Sequence, residues 1–392
     1  MLAYNSDTLD NLEIKEEAEI ALRKDCIDVT TYKAIEAAHR VNFYTPNPII
    51  KIGLFILTVV IVCFSLGLLA LMLADTLHSE KGFAGLCIFA GLACYVALEL
   101  FIREKKLFRA GVDDALLWGT VLLWISSLVL YDNIDHVTMT HWCLVTFVVT
   151  LLATLRFADM VMAGTAFLAF LGLIFSLLIE LGPVAKTILP FMVMVLSVAI
   201  YFIVRRWMSQ RAFRHYDHCL TVVSVLALLT LYLVGNYFVV REISNEMFDL
   251  QLKDGESIPG AFFFWIYTVV IPLVYLYLGI RKKDAILLRT GMILLAAIVF
   301  TIRYYHSVMP LETAMVTGGL VLTFGAWALI RYLQVPRQGF TYVETDEPSL
   351  ADKLKLESLI IAQTYVPGAP APAQNMDFGG GTGGGGGASG DY

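Results

Sequence analysis

The chain has 392 residues, of which 58% are hydrophobic and 16% are charged, and its mean hydropathy is +0.71. About a quarter of the residues of a soluble domain are charged, so this composition excludes an ordinary soluble protein. The apolar residues gather in stretches of about 20, which cross a hydrocarbon core about 30 Å thick, and they lack the alternation of membrane-barrel strands. The sequence therefore predicts an all-α fold, a polytopic integral membrane bundle.

The N-terminal segment 1–45 is charged and polar and shows the pattern of two short helices, 9–24 and 30–43. Asp28 or Thr30 can cap the second helix. We expect this segment to form a helical hairpin on the cytoplasmic face of the membrane. It does not resemble a cleavable signal peptide, so the first span is expected to serve as the targeting element.

Ten apolar stretches follow within residues 46–334, and each is expected to form one transmembrane helix. The predicted spans are 49–73, 83–102, 115–131, 142–158, 160–181, 184–204, 219–240, 262–280, 285–304 and 311–331. The break at Arg156–Asp159 follows from length, because a continuous helix from 142 to 181 would be about 60 Å long. The chain must therefore fold back at that point.

Lysine and arginine concentrate in alternate loops, which indicates the orientation of the chain, because positive residues stay on the cytoplasmic side. The loops after the second, sixth and eighth spans are the basic ones, and an even number of spans separates them. We therefore expect both termini in the cytoplasm of a bacterial inner membrane. The same residues are predicted to contact anionic lipid headgroups there. They are Arg103, Lys105, Lys106, Arg109, Arg205, Arg206, Arg211, Arg214, Arg281, Lys282 and Lys283.

Two further segments lie outside the predicted spans. The loop 241–261 is long and acidic and is expected to be external. The cytoplasmic tail, 335–392, begins with polar sequence and includes a short amphipathic helix at 349–361. The rest of the tail is rich in Pro, Ala and Gly, so it buries too little surface to offset its ordering entropy and is predicted to be disordered.

Candidate chemistry is sparse. Ionisable residues are absent from the span centres, which carry hydroxyls such as Thr146, Thr150, Ser197 and Thr230; such hydroxyls can bond to their own helix backbone. The six cysteines lack the spacing of a disulfide framework or a zinc site. The sequence also lacks Gly-x-Ser-x-Gly, Walker and His-Glu-x-x-His motifs. We therefore expect no catalytic residue and no cofactor.

Four residues between the third and fourth spans are weak metal candidates. They are Asp132, Asp135, His136 and His141, which have the ligand chemistry of a metal site but no recognised spacing. A solvated polar loop explains the same residues.

Several features allow either a packing or a functional interpretation. Pro272 should kink the eighth span and free a carbonyl group, which occurs both in packing kinks and in binding sites. Ala93 with Ala97, and Gly318 with Gly319, favour close helix contacts. The basic segments 102–111, 204–214 and 280–291 start alike, which fits an internal repeat of hairpins or simply the positive-inside rule.

The segments KDCIDVTTYKAIEAA (24–38) and IREKKLFRAGVDDALLWG (102–119) resemble a broad class of uncharacterised bacterial multi-spanning membrane proteins with a cytoplasmic N-terminal helical hairpin. The tail GGGTGGGGGASG is similar to the glycine-rich ends of bacterial envelope proteins that carry a TPM domain. These resemblances imply a bacterial envelope setting and supply no catalytic residues.

Three functions remain open at this point. The first is a structural or regulatory partner in the cell envelope, contacting a protein through its N-terminal hairpin or its tail. The second is a transporter or flippase for a lipid or hydrophobic substrate, which requires a cavity at mid-membrane lined by hydroxyls or by aromatics such as Tyr275. The third is an enzyme that uses the metal candidates. Nothing in the sequence indicates a nucleic-acid partner.

Overall fold

The computed structural model describes residues 2–74, 80–131, 139–180, 183–248, 260–305, 311–332 and 334. Within these residues the regular elements are helices and an isolated parallel β-bridge between Tyr44 and Leu107. The α-helices in chain order are α1 (Ser6–Arg23), α2 (Val29–Ala38), α3 (Pro48–Met72), α4 (Glu80–Lys105), α5 (Val112–Tyr131), α6 (Met139–Phe157), α7 (Met160–Glu180), α8 (Pro183–Met208), α9 (Asp217–Gly235), α10 (Tyr237–Phe248), α11 (Ala261–Lys282), α12 (Ala285–Tyr305) and α13 (Leu311–Tyr332). A 3-10 helix, Arg211–Tyr216, precedes α9.

Both predicted N-terminal helices are present. Asp28 is the N-cap of α2, where its side chain accepts a hydrogen bond from the backbone N–H of Thr31 at 3.2 Å. Hydrogen bonds from the hydroxyls of Thr30 and Thr31 hold the pKa of Asp28 at about 2. Lys15 Nζ lies 2.5 Å from Glu36 Oε1, which ties α1 to α2. The second helix ends at Ala38, earlier than predicted.

Eight helices in the described part of the chain are long and apolar enough to cross a membrane. They are Pro48–Met72, Lys81–Lys105, Val112–Leu130, Met139–Phe157, Met160–Glu180, Ile188–Met208, Arg211–Gly235 and Ala261–Lys282. Two further helices occupy the positions of the ninth and tenth predicted spans: α12, with a shorter apolar section at Ala285–Val299, and α13. The predicted tail, 335–392, with its helix at 349–361, lies outside the described residues.

The transmembrane helices pack mainly as four consecutive hairpins: α4 with α5, α6 with α7, α8 with α9, and α11 with α12. The predicted break at 156–159 is confirmed, since α6 ends at Phe157 and α7 starts at Met160. At Gly279 the hairpin of α11 and α12 is especially close, because an added Cβ would lie 2.8 Å from the backbone nitrogen of Leu288. Small residues permit such contacts between membrane helices.

Two of the hairpin turns share one backbone design. In the α6–α7 turn, Ala158 has a φ of +51° and Asp159 follows it; in the α11–α12 turn, Lys283 has a φ of +55° and Asp284 follows it. Each aspartate accepts a hydrogen bond from the first turn of the next helix, at 2.8 Å and 3.0 Å. A left-handed residue that ends one helix, followed by an aspartate cap for the next, reverses the chain within two residues.

The predicted seventh span, 219–240, is interrupted. Helix α9 ends at Gly235, Asn236 is extended (φ −69°, ψ 129°), and α10 begins at Tyr237. Asn236 Oδ1 accepts the backbone N–H of Phe238 at 3.0 Å, which caps α10. The first part of the predicted external loop 241–261 is therefore helical, up to Phe248. This is a difference from the sequence-based expectation.

Candidate functional site

Three basic turns meet at one end of the bundle. Arg205, near the end of α8, pairs with Asp284 at the start of α12, with Nη2 and Oδ2 2.5 Å apart. Arg214 of the 3-10 helix pairs with Asp10 of α1, and Tyr4 packs edge-on against the α4–α5 turn. We call this region, formed by residues 2–47 and the turns at 103–111, 156–159, 205–216 and 281–284, the basic end. Its composition fits the predicted alternation of basic loops.

The first residues of the chain cover the basic end. The backbone N–H of Ala3 donates to the carbonyl oxygen of Arg156 at 2.8 Å. Leu2 packs on the cluster that includes Cys219. Tyr4 is only 9% exposed, and burial raises the pKa of its phenol. The N-terminal segment is thus built into the bundle and fixes the position of α1.

Charged groups at the basic end form pairs between helices. Both Nε and Nη2 of Arg156 in α6 donate to Glu99 Oε1 in α4, at 3.0 Å and 2.7 Å. The Tyr95 hydroxyl donates to the same oxygen at 3.2 Å, and the Glu99 side chain is 15% exposed. Such a carboxylate is stable at this depth because three donors replace its water. The pair joins the first two hairpins.

Asp159, in the turn between α6 and α7, contacts a third element. Its Oδ1 accepts the Met162 backbone N–H at 2.8 Å and the Trp118 indole N–H at 3.3 Å. Loss of water on burial raises the pKa of this carboxyl group above its usual range, although the two hydrogen bonds oppose that rise. The aspartate therefore fastens α5 to the turn.

The structure places all eleven predicted headgroup contacts at the basic end, with different exposure. Arg109 and Arg205 are half-buried. The others are exposed: Arg103, Lys105, Lys106, Arg206, Arg211, Arg214, Arg281, Lys282 and Lys283. Arg103 Nη2 lies 3.5 Å from Glu99 Oε2, and the Arg281 guanidinium donates to the Tyr277 hydroxyl at 3.4 Å. Arg205 and Arg214 make the intramolecular pairs described above, so they stabilise the fold as well.

An apolar groove runs between α3 and α4. None of the residues of α3 is buried, and this helix packs on α5 far more than on α4. The space left between α3 and α4 is a cavity of about 800 Å³. Its α3 wall extends from Leu54 to Leu69, about 22 Å at 1.5 Å per residue, which is most of the way across a hydrocarbon core.

The walls of this α3–α4 groove are almost entirely hydrocarbon. Ala90, Ala93 and Ala97 of α4 leave room that a larger side chain would fill. The predicted close contact at Ala93 and Ala97 is therefore not made with α3. Two hydroxyl residues, Thr58 and Ser65, also line the groove. Five groove residues of α4 stand at four-residue spacing and form what we call the α4 stripe, which ends with Lys105 at the basic end: Phe89, Ala93, Ala97, Phe101 and Lys105.

Several residues named from the sequence lie in the bundle away from this groove. The Tyr275 hydroxyl donates to the Leu228 carbonyl at 3.1 Å within a buried cluster, and Tyr275 is not among the residues of the α3–α4 groove. Helix α11 continues through the buried Pro272. The Thr150 hydroxyl bonds to its own helix at Thr146, as predicted. Thr230 lines a smaller apolar cavity of about 290 Å³ among α7, α8, α9 and α10.

One of the four metal candidates lies within the described residues. Asp132, Asp135 and His136 lie outside the described residues, while His141 is an exposed residue of α6. Within the described ranges, no group of three His, Cys, Asp or Glu side chains could hold a metal ion. The metal site therefore stays a sequence-based prediction.

A buried polar cluster at the α9–α10 break was missed by the sequence analysis. Asn236 Nδ2 donates to the Tyr232 hydroxyl at 2.9 Å and to Thr301 Oγ1 at 3.1 Å. The backbone N–H of Tyr237 donates to Thr268 Oγ1 at 2.9 Å. These bonds satisfy the backbone where the helix is interrupted, as an apolar environment requires. An asparagine within an apolar run was the available signal.

In comparisons with protein-family models, curated proteins and solved structures, nothing matches the chain. The class is therefore defined by the structure itself: the chain is a helical, multi-pass membrane protein whose hairpin turns gather at a basic end.

Proposed function

We propose that the chain is a ten-span protein of a bacterial inner membrane, with both termini in the cytoplasm, and that it acts as a structural or regulatory partner in the cell envelope. The observation that supports this function most is the mounting of the N-terminal hairpin. Helix α1 is anchored by buried Leu9 and Ala18 and by the Asp10–Arg214 pair, whereas α2 has no buried residue. The hairpin is therefore fixed to the bundle through α1 and exposes α2, an arrangement that suits recognition of another protein.

The topology in this proposal is supported by charge. The basic turns lie at the same end as the N-terminal hairpin, and short basic loops remain cytoplasmic. The two helices α12 and α13 supply the ninth and tenth spans. Ten spans return the chain to the side from which it started. The glycine-rich tail would then offer a second, flexible contact in the cytoplasm.

A photo-crosslinking amino acid tests the partner role. At Val29 of α2, which is 55% exposed, we expect a discrete protein adduct in living cells, weakened by deletion of residues 337–392. The matched control is Leu122 of α5, which is 68% exposed on an apolar span and should give lipid adducts only. Absence of a protein adduct at Val29 and at other exposed α2 positions such as Lys33 would contradict the proposal.

The second candidate function is a transporter or flippase for a lipid or hydrophobic substrate. The α3–α4 groove favours it, because the groove has the size of a ligand pocket and follows most of a membrane span. Two hydroxyl residues lie within it, but Tyr275 does not.

A further inference from the structure

We propose that the α3–α4 groove is a binding site for an anionic glycerophospholipid, with an acyl chain along the groove and the phosphate beside Lys105. This proposal rests on the second candidate function, which gives the class of ligand, a lipid. Binding can be measured without transport, so failure of one is distinguishable from failure of the other.

Shape is the first reason for a chain-like ligand. The groove is about 22 Å long on its α3 side and its lining is apolar along most of that length. Ala93 and Ala97 stand at four-residue spacing, with Phe89 before them and Phe101 after them, so a shallow track lies between two aromatic rings. A linear hydrocarbon fits such a track better than a compact substrate.

Charge is the second reason, and it determines the headgroup. Lys105 is the last residue of the α4 stripe and the only charged residue that lines the groove among those described. It is exposed, and Lys106 beside it is exposed as well. An ammonium group at the membrane surface attracts an anionic headgroup by about 1 kcal/mol. The Tyr44 ring, 49% exposed, lies at the same end of the groove.

The headgroup must supply the selectivity. An acyl chain that leaves the bilayer for the groove gains no hydrophobic free energy, because both environments are equally apolar. The chain gains van der Waals contacts with the groove walls, and these are similar for any phospholipid. We therefore expect the groove to accept many acyl chains but to prefer an anionic headgroup.

The anchoring of α3 keeps the groove open. Lys51 Nζ lies 2.8 Å from Asp114 Oδ2, and the rings of Phe55 and Trp118 are 5.2 Å apart. Both contacts hold the first turns of α3 against α5, away from α4. The groove is therefore set by the fold of the basic end.

The test uses the full chain reconstituted in vesicles of equal parts phosphatidylglycerol and phosphatidylcholine, in which either one lipid or the other carries a photoreactive acyl chain. We expect labelling to concentrate in residues 54–69 and 89–105 and to be about fivefold stronger from phosphatidylglycerol, which is the ratio that about 1 kcal/mol of headgroup attraction gives. Lys105→Glu should remove that preference. Lys282→Glu, an equally exposed change in another basic turn, should keep it.

A second pair of variants tests the groove itself. Ala93→Phe should lower groove labelling from both lipids severalfold, whereas Ile88→Phe, at a 50% exposed position about 140° around α4 from Ala93, should not. Labelling spread evenly over the exposed spans of the wild-type chain would overturn the proposal, whether or not Ala93→Phe folds. A photoreactive residue at Ala93 that forms an adduct with protein instead of lipid would also overturn it, since a helix would then occupy the groove.

Discussion

Replacing Gly111 with alanine is expected to lower the free energy of unfolding by about 3 kcal/mol or more. Gly111 precedes α5 and has a φ of +94°, a conformation that costs other residues about 1–3 kcal/mol. An added Cβ would also lie 2.2 Å from the Lys51 carbonyl oxygen and 3.1 Å from the Phe55 nitrogen. Both are backbone atoms of α3, so the clash is relieved only when the helix moves.

The displacement matters because α3 has few other attachments. It contains no buried residue, and its contacts with α5 in the first turns include the Lys51–Asp114 pair and the Phe55–Trp118 ring contact. Thermal unfolding of the purified protein in detergent should therefore show a clear decrease in the midpoint for Gly111→Ala. Gly119→Ala is the matched control, since an added Cβ there meets no atom within 4 Å. Equal midpoints for the two variants would contradict the strained turn.

Replacing Arg205 with methionine is expected to cost about 3 kcal/mol, because removing one partner of a buried pair leaves an uncompensated charge, at a cost of about 3–5 kcal/mol. The Asp284 side chain is only 4% exposed and lies 2.5 Å from Arg205. We expect the lower limit because the Arg205 side chain is 37% exposed, so water can partly replace it.

A double-mutant cycle separates this charge effect from lost packing. Asp284→Asn should restore part of the stability of the Arg205→Met variant, because asparagine can still cap α12 and leaves no buried charge. Arg206→Met, an exposed neighbour, should change the midpoint of unfolding little. If Asp284→Asn added its full cost to that of Arg205→Met, the pair would not be coupled and the interpretation would be wrong.

Local sequence features predicted the helical class and the basic turns. A helix from 142 to 181 is too long to cross the membrane once, so length required a reversal, and the segment Arg156–Asp159 was predicted as its position. Asp28 or Thr30 was predicted to cap α2 because both have capping chemistry and a helical pattern follows them, and Asp28 is the residue that does so. Each of these features depends on residues close together in the chain.

Features that depend on distant residues could not be predicted. The break at Asn236 is stabilised by Thr301, 65 residues away, and the Glu99–Arg156 pair joins residues 57 apart. Ala93 and Ala97 favour a close helix contact as readily as an open groove. Which one forms depends on the position of α3, and that position is set by the turn at Gly111.

Thiol accessibility tests the orientation of the bundle most directly. Cys26 is native and exposed, in the connection between α1 and α2. In spheroplasts treated with a membrane-impermeant maleimide, we expect no labelling of Cys26 or of a Tyr392→Cys variant until the membrane is permeabilised. A Ser257→Cys variant should be labelled at once. The Cys26→Ser variant measures the background labelling of the other native cysteines. The opposite pattern in sealed spheroplasts would show that the basic end faces outward. In that pattern the maleimide labels Cys26 or the thiol introduced by Tyr392→Cys, and it does not label the thiol introduced by Ser257→Cys.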